Sequence, residues 1–118
     1  MKEKEKEYGD KVFAERYIEG KEISVSMLST GKGPQILPAA WVKFNGYDKE
    51  SYKILDYKAK WEQNSTQYRR TKRSFGFDPA EAKLLSRVRE ISLILWDKMG
   101  LNGYARIDFR VEDKKYPW

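Results

Sequence analysis

One segment limits the possible folds more than any other. Asp78-Pro79-Ala80-Glu81 has the chemistry of a helix start: an N-cap acid, a proline at the first helical position and a glutamate that can reach back. Leu84, Val88, Ile91, Leu95 and Met99 follow at helical spacing, with Leu85 and the apolar run 93–96 beside them, and Gly100 stands where a C′ glycine is expected. The pattern predicts one long helix over Pro79 to Met99. A helix with a single apolar stripe must bury it against something else.

The flanking segments supply that something. Glu22 to Leu28 alternates, with Ile23, Val25 and Met27 on one side and Glu22, Ser24 and Ser26 on the other. Tyr104 to Glu112 alternates likewise: Ala105, Ile107, Phe109 and Val111 oppose Arg106, Asp108 and Arg110. Asp10 to Ile18 is β-branched and aromatic at near-alternate positions and reads as a further strand, paired through Glu19-Gly20-Lys21 with the strand after it. Residues 29–34 form a turn, and Gln35 to Phe44 reads as a third strand that Pro38 must place at an edge or bulge. Asn45-Gly46 is a turn, 47–77 reads as irregular, Asp113-Lys114 turns again and Lys115–Trp118 begins another strand. Residues 1–9 alternate Lys and Glu without an apolar stripe and read as a solvated lead-in. The expectation is an α+β fold: a mainly antiparallel sheet with one long helix on one face. The other face, carrying Glu22, Arg106 and Asp108, is left needing a ligand or partner.

Composition narrows the chemistry. The chain has 118 residues, one domain's worth, with no cysteine and no histidine. Disulfide scaffolds, thiol nucleophiles, histidine triads and Cys/His zinc sites are excluded. Any catalysis must use carboxylates, Lys, Arg, Tyr, hydroxyls or a metal held on oxygen. With 24 Lys+Arg against 18 Asp+Glu, the formal charge of +6 points to an anionic partner. No apolar run approaches the ~20 residues of a membrane span, and Met1–Glu7 lacks the apolar core of a secretory signal, so a cytoplasmic location is expected.

Three constellations could carry function. Arg106 and Asp108, two apart on a strand, share a face roughly 6.5–7 Å apart. The carboxylate could hold Mg²⁺ and the guanidinium a phosphate or oxyanion; a plain surface ion pair is the alternative. In Glu15-Arg16-Tyr17-Ile18-Glu19-Gly20-Lys21-Glu22, two carboxylates flank a turn, and extended backbone could read an adenine edge; a charged hairpin is the alternative. Lys60, in Leu55-Asp56-Tyr57-Lys58-Ala59-Lys60-Trp61, could serve a phosphate as a point charge or simply be solvated. The basic cluster Arg69–Arg73 raises the alternative of an RNA- or polyanion-binding module, but no nucleic-acid recognition motif accompanies it.

Taken in order, ERYIEGKE, LPAAWVKF, LDYKAKW, the helix and GLNGYARIDFRVED resemble the D-alanine–D-alanine ligase branch of the ATP-grasp enzymes from about Lys11 onward. That branch reads acidic-basic-x-aliphatic-x-Gly-x-Glu, then D-Y-x-A-K-aromatic, then G-x-x-R-x-D. The resemblance implies a single partial ATP-grasp domain, the C-terminal subdomain, over 1–118. It implies ATP with Mg²⁺ or Mn²⁺ and, in the parent protein, a carboxylate–amine ligase working through an acyl phosphate on a small amino-acid or carboxylate substrate. It makes Glu15 the acid at the adenine amino group, Arg16 and Ile18 the backbone positions at the adenine edge, and Glu22 the ribose ligand. Lys60 becomes the lysine near the transferred phosphate, Arg106 the arginine at the tetrahedral intermediate, and Asp108 the first metal carboxylate. Leu55 stands where the family usually has an aromatic residue, Trp61 where it has tyrosine. The family's next strand carries a Glu-x-Asn metal pair, and this sequence stops before it. The expectations that follow are a missing N-terminal portion, no ligase activity in the isolated chain, and a strand start at 116–118 able to pair with a second copy as a homodimer. A non-catalytic relative is the remaining alternative.

Overall fold

The computed structural model describes residues 2–9, 12–48 and 51–112. A short helix α1 (Lys2–Tyr8) leads in. The body is a five-stranded antiparallel sheet: β1 (Lys21–Thr30), β2 (Gly33–Ile36), β3 (Ala40–Phe44), β4 (Thr71–Ser74) and β5 (Tyr104–Val111). Two five-residue helices, α2 (Tyr57–Trp61) and α3 (Thr66–Arg70), precede β4. A 3₁₀ turn at Pro79–Glu81 runs into the long helix α4 (Ala82–Lys98). The α+β class and the helix-on-sheet arrangement are as the sequence patterns require.

β1 is the central strand. It pairs with β5 along one edge, and with β2 and then β3 along the other, while β4 extends the sheet beyond β3. The third strand expected over 35–44 is thus two strands laid end to end. Met27 pairs with Ile36, but Ser24 pairs with Ala40, so β1 spans three steps where its neighbour spans four. The extra residue falls at 37–39, around Pro38, which cannot donate a ladder hydrogen bond; the Leu37 N–H still reaches the Ser26 carbonyl at 2.9 Å.

The helix ends obey local chemistry. Asp78 accepts from the Ala80 N–H at 2.8 Å, and Glu81 reaches back to the Asp78 N–H at 3.0 Å. At the other end Gly100, with φ +59°, closes a Schellman motif: Leu101 N–H to Trp96 carbonyl and Gly100 N–H to Asp97 carbonyl. Between them Val88 and Trp96 are buried in one cluster with Ile23, Val25, Met27, Phe109 and Val111, and Ser92 is buried as well. The buried stripe is rotated from the one the apolar letters suggest. Met99, Leu93 and Ile94 are exposed, while Ser92 is fully buried, its hydroxyl donating to the Val88 carbonyl at 2.8 Å.

Two segments depart from the sequence reading. Residues 12–19 form no strand; they run beside the sheet, with Phe13, Glu15 and Arg16 exposed. Their alternation has no ladder to pair with. The Ile18 carbonyl is satisfied instead by the Arg110 guanidinium, so β1 finds its hairpin partner on the other side, in β2. The stretch 47–77 is also less irregular than expected. Asp56 caps α2 by accepting from the Ala59 N–H, Ser65 caps α3 by accepting from the Tyr68 N–H, and 71–74 adds a strand. The turn at 113–114 and the strand start at 115–118 lie outside the described residues.

Candidate functional site

The sheet face away from α4 carries the site. Alternation on β1 and β5 directs Glu22, Ser24 and Ser26, and opposite them Arg110, Asp108 and Arg106, to this side. β3 adds Ala40 and Val42, and β4 adds Arg73 opposite Val42. Leu55 and the helices α2 and α3 cover part of it. The buried Ala59 brings α2 down beside Val42, and Lys60, next along the helix, lines the space left between. The result is a cleft of about 520 Å³ lined by Lys60, Arg73 and Arg106 together with Leu55, Trp61 and Tyr68. Three cations and no carboxylate line it, so it is built for an anion.

Arg106 donates to Asp108 at 2.9 Å, and both side chains are 44% exposed. A pair this accessible is worth ~0–1 kcal/mol. A ligand phosphate could take the guanidinium, and a cation the carboxylate, at little cost.

The second ion pair on this face is different. Glu22 and Arg110 are only 14% and 19% exposed. Burial pushes the Glu22 carboxyl above the usual carboxylate range. Arg110, a hydrogen bond from the Leu55 N–H and the charge of Lys60 pull it back, while Asp108 adds to the upward push. All five N–H donors of Arg110 have acceptors. Nε and Nη2 share the Ile18 carbonyl at 3.0 and 2.8 Å, Nη2 also meets the Tyr17 hydroxyl at 3.3 Å, and Nη1 serves the Lys53 carbonyl at 2.8 Å and Glu22 at 3.4 Å. Tyr17 in turn accepts from the Lys53 N–H at 3.3 Å and packs edge-on against Tyr52.

A family model for the C-terminal part of D-alanine–D-alanine ligases matches residues 2–118, nearly the whole chain. The chain belongs to that family. Among curated relatives, the D-alanine–D-alanine ligase of Bordetella petrii is 28% identical over 94% of this chain, and that of Pseudothermotoga lettingae is 30% identical over 98%. The crystal structure of the Bacillus anthracis D-alanine–D-alanine ligase superposes on it with a TM-score of 0.57, covering 88% of this chain at 28% identity. The chain spans 30% and 34% of the length of those two relatives and 28% of that structure. The ligase resemblance and the ATP-grasp fold are thereby established.

Against the D-alanine–D-alanine ligase motifs, the fold gathers some of the expected residues and separates others. Lys60 and Arg106 meet in one cleft, with Glu22 and Asp108 on the same sheet face. Glu15 and Arg16 are exposed on the 12–19 segment, away from the cleft lining. Ile18 is half-buried, and its carbonyl is taken by Arg110 rather than left open to a base. Two residues that the motifs did not single out belong to the site: Arg73 in the cleft and Arg110 behind it. The tri-cationic lining fits a polyphosphate. For a divalent metal the donor set is partial: among the described residues no group of three acidic ligands occurs. Asp108 fits as one ligand of a cation that phosphate oxygens would complete. Within the basic cluster, Arg70 donates to the Gly46 carbonyl and Arg69 to that of Asn64. Those two guanidiniums hold turns.

Proposed function

We propose that this chain is the triphosphate- and ribose-binding part of an ATP-dependent carboxylate–amine ligase of the D-alanine–D-alanine ligase type. One observation carries the reading: Lys60 and Arg106, brought from distant parts of the sequence, line a single cleft free of carboxylates. In such a ligase ATP phosphorylates a carboxylate and an amine then displaces the phosphate; Mg²⁺ or Mn²⁺, when bound, spreads the phosphate charge. This chain's residues have the parts that chemistry needs. Lys60 supplies a fixed cation beside the transferred group. Arg106, released from its exposed pair with Asp108, meets charge as it develops on an oxyanion. Asp108, freed by the same exchange, offers one oxygen ligand to the metal. Glu22 presents an acceptor for ribose hydroxyls, and Ile18 keeps its N–H for the base edge. Glu15 and Arg16 would have to swing in from an exposed segment to take part.

The parent activity on a small amino acid or carboxylate would need the two thirds of the relatives' length that this chain does not span. The chain by itself is expected to bind Mg·ATP weakly and to release no phosphate from ATP and D-alanine. No helix among the described residues is long and apolar enough to cross a membrane, and a cytoplasmic enzyme drawing on the ATP pool is the corresponding setting. Isothermal titration of the chain with ATP, with and without Mg²⁺, tests the reading. Lys60→Ala and Arg106→Ala should each weaken binding by about tenfold, the loss of one charge-assisted contact. Asp108→Asn should remove the benefit of Mg²⁺ while leaving metal-free binding in place. Equal ATP affinity in all three variants and the parent chain would refute the assignment.

A further inference from the structure

Arg110 lies behind the cleft rather than in it, and no motif singles it out. Yet its guanidinium joins three segments beside the cleft: β1 through Glu22, the 12–19 segment through Tyr17 and Ile18, and the loop before α2 through Lys53. A planar fork with five fixed donor directions, all engaged, sets its acceptors in one mutual geometry. Lysine, with three donors on a flexible stem, cannot hold four acceptor groups on three segments at once. The fork also lies within cation–π range of Tyr17, 5.3 Å from the ring centre.

Among the described residues, the segments it joins otherwise meet through Tyr17, which accepts from the Lys53 N–H and packs on Tyr52. Residues 12–19 pair with no strand, and 52–56 has no regular structure before the Asp56 cap. Lys53 and Leu55 flank Ile54. Arg110 holds the Lys53 carbonyl, and Leu55, two residues on, lines the cleft. Arg110 therefore ties β5 to the loop before α2 and, through Glu22, to β1.

We infer that Arg110 is a positioning residue that preorganises the nucleoside end of the cleft, fixing Glu22 and the Tyr17–Ile18 backbone together, and so determines how far the site distinguishes a nucleoside triphosphate from bare polyphosphate. The inference rests on the nucleotide-binding reading above. The triphosphate end, at Lys60, Arg73 and Arg106, has no hydrogen bond to the fork. Without the fork, binding would have to order the 12–19 and 52–55 segments, and that entropy opposes only the nucleoside contacts.

The test compares two ligands, ATP and inorganic tripolyphosphate, on the 118-residue chain by titration calorimetry. The parent chain should bind ATP more tightly than tripolyphosphate. In Arg110→Ala the ATP affinity should fall by about tenfold or more, while that for tripolyphosphate changes less than about twofold. Arg110→Lys should lose most of the same preference, although it keeps the charge. Added guanidinium ion should restore ATP binding to Arg110→Ala, and the same concentration of urea should not. If Arg110→Ala does not fold, Arg110→Lys and Tyr17→Phe carry the comparison; Tyr17→Phe, losing one of the fork's acceptors, should show a smaller loss of the same sign. Equal losses for both ligands would mean a purely structural role and would overturn the inference, as would an unchanged ratio. A parent chain that binds tripolyphosphate as tightly as ATP would instead overturn the nucleotide reading, and this inference with it.

Discussion

Gly20 is the position where a single methyl group should do the most damage. Its φ of +139° lies where L-residues are strained, and a Cβ placed there would sit 1.9 Å from the Val111 carbonyl oxygen and 2.8 Å from its carbon. The nearest comfortable approach of carbon to carbonyl oxygen is about 3.3 Å, so the two backbones would have to separate by more than an ångström. That movement opens the first rung of the β1–β5 ladder, where Lys21 pairs with Val111, and strains the next, where Glu22 pairs with Arg110. Backbone strain at such a φ costs ~1–3 kcal/mol. Two ladder hydrogen bonds add ~1 kcal/mol each. Gly20→Ala should therefore destabilise by about 3–5 kcal/mol, a large part of the ~5–15 kcal/mol that holds a typical domain together. Urea unfolding followed by tryptophan fluorescence would show this as a midpoint lowered by roughly 2 M, taking a slope of about 2 kcal/mol/M. Gly31→Ala is the control: nothing stands within 4 Å of its added Cβ and its φ is unexceptional, so it should be neutral or gain a few tenths of a kcal/mol. A Gly20→Ala midpoint within about 0.3 M of the parent chain would refute the close approach on which this reasoning depends.

Two further outcomes test the rest of the scaffold. Val88→Ala should cost about 2 kcal/mol because Val88 is 1% exposed against β1, whereas Met99→Ala, in the same apolar spacing but 67% exposed, should stay within about 0.5 kcal/mol; thermal or urea unfolding distinguishes them. Glu81 is bonded to Lys21, and that hydrogen bond holds its carboxyl below the usual 4.5. Its contribution is therefore present above pH 4.5 and lost as pH falls through the lowered value. Glu81→Gln keeps an acceptor for the Asp78 N–H, so it should be less stable than the parent chain at pH 7, with the gap closing in acid; a gap unchanged at about pH 3 would contradict the ion pair.

What the sequence made legible was what depends on near neighbours. The caps of α4 lie within a few residues of the groups they satisfy, and the alternation of β1 and β5 fixes faces without knowledge of any partner. Pro38 announced an irregular strand for a reason confined to its own ring. The 12–19 segment misled because alternation describes what a strand would bury, not whether a partner strand exists. Its carbonyl found an arginine from the far end of the chain instead. The helices α2 and α3 were invisible to periodicity because five residues hold little more than one turn, too short for a stripe to repeat. Their signals were the capping residues Asp56 and Ser65, which are common in loops as well. Ser92 was missed because a buried serine contradicts its polarity until its back-bond to Val88 is seen. Arg110 sits in the same alternating run as Arg106 and Asp108, so its face was readable, but its role arises from Ile18 and Lys53, which no local pattern connects to it.

The two ion pairs on the open sheet face show how one strand can supply both a fixed and an exchangeable half of a site. Arg106 and Asp108 face solvent at 44% exposure each, where the attraction between them is nearly matched by their hydration. Such a pair separates for any ligand that offers each member a better partner, as a metal-bound phosphate does. Arg110 and Glu22, two residues further along β5 and across on β1, are largely withdrawn from water. Separating them would leave the Glu22 carboxylate, largely withdrawn from water, without its cation, a change that typically costs several kcal/mol. The chemical types are the same in both pairs, a guanidinium and a carboxylate. Burial alone makes the first pair easy to separate, whereas the second keeps its geometry.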